Sequence, residues 1–444
     1  MNAKEIIKQA KELDKEYLFF NKIVEDPKVY GEGTLSGTAI SVKDCVVVKG
    51  VESRAGSKIL ENYIPLFDAT VIEKIKAEGG MIIGKTAQDA FGFGSFATNV
   101  GIGMKVPLNP FDKERSCGGS SGGSAGITQK ATFNHISIAE STGGSIVCPA
   151  SFCGVVGICP TYGRVSRYGL MDYANSLDKI GAMAKTIEEI ALIMRIIAGH
   201  DPRDSTSLDK PVPNYSESIK KPIKGMKIGM IKEAFGEGLD KEVKDNVKQA
   251  IKRLESQGAK VEEVSLPLTS KYALECYYLI AMAEASTNLA KYCGMRYGAE
   301  EKVEGSFNEY FSKVRSQYFN AESKRRIIIG TFARMAGYRD AYYLKAMKVR
   351  TKIIEEYKKV FKKFDALICP TMPVIAPKFT EIEKLTPMQN YMMDILTVGP
   401  NLAGLPHITI PSGTKDKMPI GTMLIGDHLA EDKLMQIGEK LKAN

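Results

Sequence analysis

Two glycine- and serine-rich segments lie close together in this chain. The first is Cys117–Ser124, with the sequence CGGSSGGS, and the second is Ser141–Ile146, with the sequence STGGSI. Glycine is used where the backbone needs a positive φ or passes close to a ligand, so that backbone N–H groups can face a developing oxyanion. Glycine-serine runs are often flexible linkers, but these are short and lie inside a long patterned region. The two serine-bearing turns therefore predict a catalytic site.

A catalytic serine needs a base, and the histidines do not supply one. The chain has four histidines, none in a local pattern typical of a serine–histidine–aspartate triad. Upstream, Lys43 interrupts the run Thr38–Val48, which otherwise predicts a buried strand. Because burial disfavours the ammonium form, a lysine held there can act as a base. Alone, Lys43 would be read as a surface lysine; its position ahead of two serine turns favours catalysis.

These three segments, in this order, resemble the amidase signature family, whose hydrolases use a serine–serine–lysine triad. The resemblance includes the segments Pro149–Gly157 and Pro160–Leu170. It implies an α/β fold in which helices cover both faces of a central mixed β-sheet. We expect a single domain over residues 1–444, with a signature core at about 36–200, an N-terminal helix at 1–24 and a surface linker at 203–222.

The resemblance also implies the roles of the site residues. Ser145 is the expected nucleophile, Lys43 the base, and Ser120 a bridging hydroxyl on a cis peptide that relays the proton between them. The backbone N–H groups of the second turn are expected to hold the oxyanion: Thr142, Gly143 and Gly144.

Two later segments, Gly337–Tyr343 and Asn401–Pro406, resemble the branch of the family that hydrolyses glutamine for tRNA-dependent amidotransferases. Glutamine carries an α-ammonium and an α-carboxylate, so its site should offer an acid for the first and an arginine for the second. The resemblance supplies Asp394 as the acid, Arg326 as the arginine and Tyr277 as a pocket residue.

That branch implies partners as well as a substrate. The chain would supply ammonia to amidotransferase subunits B and C, which would convert Glu-tRNA(Gln) to Gln-tRNA(Gln). ATP and Mg²⁺ are expected at a partner subunit, and no cofactor or metal is expected in this chain. Two alternatives stay open: a stand-alone amidase acting on another small amide, and a non-catalytic scaffold or RNA-contacting subunit.

Composition predicts a cytoplasmic protein. The eight cysteines lack the spacing of metal ligands and are expected to be free thiols. No apolar run is long enough to span a bilayer, so no membrane contact is expected. The net charge of +9, from 61 basic and 52 acidic residues, is a mild excess that solvated lysines on helix faces explain.

One short motif is rejected. Gly79–Thr86, with the sequence GGMIIGKT, matches the P-loop pattern. A P-loop follows a strand and has a flexible loop after its first glycine, whereas here a helix is predicted over residues 68–78 and Met81–Ile83 is strand-like. The motif therefore does not predict a phosphate site.

The remaining pattern is that of an α/β protein. A strand is predicted at residues 226–231, a helix from about Asp240 and a strand at residues 260–266, with apolar residues on one helical face. Thr186 and Glu189 form a capping-box pattern that opens a helix ending near Gly199.

The sequence departs from the family in three places. Ser141 stands where an acid is usual and Val147 where an arginine is usual, which fits the joint loss of an ion pair. The spacing between the serine turns is one residue longer than usual, so counting back from the second turn points to Ser121. The intact motif points to Ser120, which we prefer, and we expect the insertion within residues 128–136.

Overall fold

Eleven strands form one mixed β-sheet in the computed structural model, which describes residues 1–441. In chain order they are β1 (Phe20–Ile23), β2 (Ala39–Lys43), β3 (Met81–Thr86), β4 (His135–Ser141), β5 (Val156–Cys159), β6 (Lys179–Ala184), β7 (Lys227–Ile231), β8 (Lys260–Val264), β9 (Ala366–Pro370), β10 (His407–Lys415) and β11 (Met418–Ile425).

The strand order is β1-β3-β2-β4-β6-β5-β10-β11-β9-β7-β8. β2 runs parallel to both β3 and β4, and β7 runs parallel to both β8 and β9. In the part of this order that runs from β4 to β9, every pair of neighbouring strands is antiparallel. The edge pair of β1 with β3 is antiparallel as well. The predicted mixed sheet is confirmed.

Helices connect and cover the strands. They are α1 (Ala3–Tyr17), α2 (Thr70–Ala77), α3 (Gly122–Lys130), α4 (Val147–Cys153), α5 (Ile187–Ile197), α6 (Tyr215–Ser218), α7 (Lys241–Ser256), α8 (Pro267–Asn288), α9 (Phe307–Tyr318), α10 (Ala321–Arg334), α11 (Lys345–Phe361), α12 (Phe379–Ile382), α13 (Pro387–Met392), α14 (Val398–Leu402) and α15 (Glu431–Glu439).

Successive residues of the central strands belong to two different apolar clusters. Ala39 and Met81 pack in the cluster that contains residues of α1 and α3. Ile40 and Ile82 pack in the larger cluster, which contains residues of α2 and α5. Because neighbouring side chains on a strand point to opposite faces, helices cover both faces of the sheet here, as predicted.

The local signals for helix and strand hold in two predicted units. The β7–α7–β8 unit forms as expected, with Asp240 capping α7 through bonds from the backbone of its first turn. The Thr186–Glu189 capping box opens α5, in which Glu189 N–H donates to Thr186 Oγ1 at 3.2 Å. Each cap satisfies backbone donors that the helix itself leaves unpaired.

The predicted extents of two elements are wrong. The N-terminal helix ends at Tyr17 instead of continuing to residue 24, because Leu18 is left-handed with φ 64 and the following β1 pairs with β3. The strand expected over Thr38–Val48 stops at Lys43, where the chain turns. The first boundary coincides with pairing to a distant strand, and the second with a local turn in which Val46 N–H donates to Lys43 O at 2.9 Å.

The rejected P-loop motif follows a helix and ends in a strand. α2 precedes it and residues 81–86 are β3, as the context indicated. Lys85 is fully buried, and its Nζ donates to Ser53 Oγ at 2.8 Å and to the carbonyl of Val46. Burial lowers the pKa of Lys85 to about 8. The amine of Lys85 is therefore held by hydrogen bonds inside the protein.

Residues 203–222 pack on the signature core. Tyr215 is fully buried, and Arg164 Nη2 donates to Pro211 O at 2.8 Å. Strands that precede this segment and strands that follow it join the same sheet. The domain limits proposed from the sequence stay predictions.

Candidate active site

Lys43 lies at the carboxyl end of β2 and is fully buried. Its Nζ is 2.7 Å from Ser120 Oγ, 2.9 Å from Glu140 O and 2.8 Å from Glu140 Oε2. Because β2 and β4 are parallel, their carboxyl ends meet at one edge of the sheet. The turn with the second glycine-serine motif follows β4, so the fold brings it to the same edge as Lys43.

Ser120 follows a cis peptide bond from Gly119, in the loop that leads into α3. A Cβ on Gly119 would lie 2.3 Å from a carboxylate oxygen of Asp89, so no side chain fits there. Ser121 Oγ donates instead to Glu140 O at 3.2 Å. The structure thus puts Ser120, and not Ser121, beside the lysine amine.

Ser145 lies in the turn between β4 and α4 and is 6% exposed. Within residues 1–441 its hydroxyl makes no hydrogen bond to Lys43 or Ser120, or to any other group. The N–H groups of Gly143, Gly144 and Ser145 likewise find no acceptor in the described chain. A serine hydroxyl and several backbone donors without partners in residues 1–441 therefore lie together at this turn.

The glycines of this turn are closely packed. A Cβ on Gly143 would lie 2.8 Å from Tyr277 Oη, and a Cβ on Gly144 would lie 2.5 Å from Thr397 Oγ1. Asn401 Nδ2 donates to the carbonyl oxygen of Gly143. Tyr277 is thus brought to the turn, and two residues not predicted from the sequence, Thr397 and Asn401, hold it in place.

Asp394 is buried near the same turn. Its Oδ1 accepts from Ser95 Oγ at 2.8 Å, and its Oδ2 accepts from Tyr278 Oη at 2.6 Å. Burial raises the pKa of Asp394, while the bonds from Tyr278 and Ser95 and the charge of Arg326 oppose that rise. Tyr278 contacts this acid directly, although the sequence pointed only to its neighbour Tyr277.

Arg326 is also buried, and it already has a carboxylate partner. Its Nε donates to Glu322 Oε1 at 2.8 Å and its Nη1 donates to Tyr173 Oη at 2.7 Å. Four aromatic rings surround the guanidinium, with centroids 5.0 to 5.7 Å from its carbon: Phe93, Tyr173, Tyr278 and Tyr391. Nη2 makes no hydrogen bond within the described residues and is the nitrogen left for a ligand.

Residues 2–435 match the family model described as Amidase. The chain belongs to the amidase family. The resemblance seen in the sequence is thereby confirmed for almost the whole chain.

Two relatives of this amidase carry the same name. The Glutamyl-tRNA(Gln) amidotransferase A subunit of Sulfurihydrogenibium sp. (strain YO3AOP1) is 48% identical over 409 residues, which cover 92% of this chain and 83% of that protein. The protein of that name from Persephonella marina (strain DSM 14350 / EX-H1) is 45% identical over 439 residues, covering 99% and 87%.

Solved structures agree with the fold. The crystal structure of the Glutamyl-tRNA(Gln) amidotransferase A subunit from Thermotoga maritima superposes with a TM-score of 0.84 at 38% identity, covering 98% of this chain and 90% of that one. A bacterial aryl acylamidase of the amidase signature family superposes with a TM-score of 0.80 at 20% identity, covering 99% and 92%, which is evidence for the fold alone.

Glu140 lies in this candidate site, and the sequence reasoning did not single it out. It is 3% exposed, and its carboxylate contacts the amine of Lys43. Its other oxygen, Oε1, lies 2.8 Å from Thr142 Oγ1. A charged residue inside the apolar run of β4 is the same signal that singled out Lys43, and it could have identified this acid too.

The remaining titratable side chains do not form a metal site over residues 1–441. No group of three or more histidine, cysteine, aspartate or glutamate side chains there is placed to hold a metal ion. All eight cysteines are free thiols, as the sequence indicated. No helix in that part of the chain is long and apolar enough to cross a membrane.

Proposed function

We propose that this amidase is the glutamine-hydrolysing subunit of a tRNA-dependent amidotransferase. The observation that carries the proposal is the identity of 45–48% to amidotransferase A subunits over most of the chain. The hydrogen bond between Lys43 Nζ and Ser120 Oγ, close to the turn of Ser145, supports it independently.

In this proposal Ser145 Oγ attacks the side-chain carbonyl carbon of glutamine. The serine hydroxyl is a weak nucleophile, so its proton must leave as the new bond forms. Ser120 takes that proton and passes its own to the neutral amine of Lys43. The tetrahedral oxyanion accepts hydrogen bonds from the turn, for which Thr142, Gly143 and Gly144 are the proposed residues together with the nucleophile's own N–H.

Collapse of the intermediate breaks the carbon–nitrogen bond. Lys43 returns the proton through Ser120 to the leaving nitrogen, so ammonia departs and an acyl-enzyme remains. Water then attacks the acyl-enzyme by the same proton route in reverse and releases glutamate. Each proton taken from a nucleophile is returned to a leaving group.

Three residues are proposed to bind glutamine. The carboxylate of Asp394 would hold the α-ammonium, and Tyr277 would line the pocket beside the turn. Arg326 would hold the α-carboxylate through Nη2, because Glu322 and Tyr173 occupy its other nitrogens. The substrate carboxylate would then share the guanidinium with a protein carboxylate, in a box of aromatic rings.

The proposed partners follow from the names of the relatives. Amidotransferase subunits B and C would receive the ammonia and use it to convert Glu-tRNA(Gln) to Gln-tRNA(Gln), with ATP and Mg²⁺ bound at a partner subunit. We propose that the complex works in the cytoplasm and that residues 1–444 form a single domain.

The test is ammonia release from glutamine by the purified chain, alone and with its partner subunits. We expect slow release alone, faster release in the complex and a loss of at least about a thousandfold in Ser145→Ala. Release from other small amides but not from glutamine would indicate a stand-alone amidase. Full tRNA amidation by the complex with Ser145→Ala would indicate a scaffold.

A further inference from the structure

The buried acid beside the base is the feature that the proposed mechanism leaves unused. Lys43 Nζ has three neighbours within 2.9 Å: Ser120 Oγ, Glu140 O and Glu140 Oε2. An ammonium group has three donors and no acceptor, so these three contacts are the ones that Lys43 can make once it has taken up a proton. The ion pair with Glu140 is buried on both sides, with exposed fractions of 0% and 4%.

A second acid lies on the far side of Glu140. Thr142 Oγ1 is 2.8 Å from Glu140 Oε1 and 2.8 Å from Asp178 Oδ1. One hydroxyl has one hydrogen and can donate to only one of the two carboxyl groups. The other contact is a hydrogen bond only if that carboxyl group carries a proton and donates it to the threonine oxygen.

The surroundings identify Asp178 as the protonated acid. Burial, and then the nearby charge of Glu140, raises its pKa well above the usual range. Its Oδ2 accepts from the backbone N–H groups of Tyr173 and Ala174, and no cation contacts either oxygen in the described chain. Glu140 has the lysine amine as its partner and is therefore the anion of the pair.

We propose that Glu140 is a positioning residue that stabilises the ammonium form of Lys43 when Lys43 takes up the proton of Ser145. This proposal rests on the proposed function, because it assumes that Lys43 is the base. Asp178, protonated, orients Thr142, and Thr142 donates to Glu140. The acid then strengthens the lysine as a base, as the aspartate of a serine–histidine–aspartate triad stabilises the imidazolium.

The proton balance of the step is complete. Ser145 Oγ loses a proton as its bond to the carbonyl carbon forms, Ser120 accepts that proton and gives up its own, and Lys43 gains one. The charge that appears on Lys43 faces the existing negative charge of Glu140. When ammonia leaves, the same proton returns, and Glu140 stays ionised throughout.

Other titratable groups lie near Lys43 and Glu140, and the test must distinguish their effects on the pH profile from that of Glu140. Burial raises the pKa of Asp89 to about 7, partly opposed by the charge of Lys43. Burial raises the pKa of the Cys45 thiol far above its usual range. The groups to consider around Lys43 are Asp44, Cys45, Lys85, Asp89, Glu140 and Asp178.

The test compares the pH profile of kcat for glutamine hydrolysis in the wild-type complex and in Glu140→Gln. Without the carboxylate the lysine loses its proton at lower pH, so the rising limb should move to lower pH by about one to three units. Because the base is then weaker, the plateau value of kcat should fall roughly three- to thirtyfold. A purely structural role would lower the rate without moving the limb.

Asp178→Asn is the matched control, since it replaces a neutral acid by a neutral amide. Whatever its rate, its rising limb should stay with the wild type, and a shift equal to that of Glu140→Gln overturns the proposal. Asp89→Asn should move this limb less than Glu140→Gln does, because Asp89 interacts with Lys43 through charge and Glu140 also bonds its amine directly. A limb that moves in Asp89→Asn and not in Glu140→Gln belongs to Asp89, and that result overturns the proposal too.

A thermal melt checks that each variant is folded. If Glu140→Gln does not fold, Glu140→Asp replaces it: its shorter side chain weakens the pair, and the limb should move the same way by a smaller amount. An unmoved limb in a folded variant overturns the role of Glu140. Full activity of Ser145→Ala would instead overturn the proposed function, so the two failures can be told apart.

Discussion

The hydroxyl of Ser95 donates a hydrogen bond to Asp394 Oδ1 at 2.8 Å. The carbonyl oxygen of Ser95 accepts the N–H of Gly119 at 2.8 Å. One residue therefore joins the proposed ammonium-binding acid to the peptide that precedes Ser120. The residues proposed for substrate binding and for proton relay share this support, although no local pattern in the sequence singles out Ser95.

Removing this hydroxyl should weaken glutamine binding in a pH-dependent way. Burial raises the pKa of Asp394, and the bond from Ser95 opposes the rise. In Ser95→Ala the pKa of Asp394 should rise further. Asp394 should therefore take up a proton, and lose its charge, at a higher pH than in the wild type. We expect KM for glutamine to increase about tenfold, with the increase on the acidic side starting at a higher pH than in the wild type.

The measurement is KM and kcat across the pH range for both proteins. Ser57→Ala is a suitable control, because that buried hydroxyl finds no hydrogen-bond partner within residues 1–441. A Ser95→Ala variant whose KM equals that of the wild type at every pH would contradict the role assigned to the bond.

Arg326→Lys keeps the positive charge at this position and removes the guanidinium group. It therefore tests whether glutamine binding needs the guanidinium or only the charge. The side chain of Arg326 is 3% exposed, whereas that of its neighbour Arg325 is 40% exposed, and both pair with Glu322. A lysine cannot contact Glu322, Tyr173 and a substrate carboxylate with the fixed geometry of a guanidinium. We expect KM to rise roughly 10- to 100-fold in Arg326→Lys, and to change little in Arg325→Lys.

The same kinetics can refute the assignment. A fall in kcat with an unchanged KM would make Arg326 part of the scaffold rather than of the glutamine site. Thermal melts of both variants are needed, because Arg326→Lys also disturbs a buried ion pair.

Gly144→Ala should abolish most of the activity. Its Cβ would lie 2.5 Å from Thr397 Oγ1, so the turn that carries the proposed oxyanion donors must shift. We expect kcat to fall by about a hundredfold or more. Combining it with Thr397→Ala removes the clashing oxygen and should restore part of kcat. A double variant no faster than Gly144→Ala would show that the clash is not the cause.

Local signals predicted the parts of the site that depend on burial and turns. Lys43 stood out because a charge interrupted a buried strand, and Ser120 and Ser145 because glycines surround them. Glu140 carries the same signal in β4 and was overlooked beside the neighbouring glycine-serine motif. The ion pair of Glu322 with Arg326 was not predicted, although its i, i+4 spacing on one helix is a local signal of the same kind.

Long-range contacts were beyond local patterns. Tyr277, Arg326 and Asp394 come from α8, α10 and the segment after α13, and only the family resemblance brought them together. The contacts of Ser95, Thr397 and Asn401 with the two turns join segments far apart in the chain. Helix α1 ends early for the same reason, since β1 pairs with a strand that follows much later.

Val147→Arg tests the joint loss of an ion pair that the sequence suggested. Val147 is fully buried, and Ser141 Oγ finds no hydrogen-bond partner within residues 1–441. An arginine at 147 would put an unpaired charge into this interior, and we expect it to lower the free energy of unfolding by about 3–5 kcal/mol. Adding Ser141→Asp supplies an acid, so the double variant should be more stable than Val147→Arg. Denaturant unfolding of the wild type, both single variants and the double variant measures the coupling. A Val147→Arg protein as stable as the wild type, or a double variant with no coupling between the two changes, would contradict the paired loss.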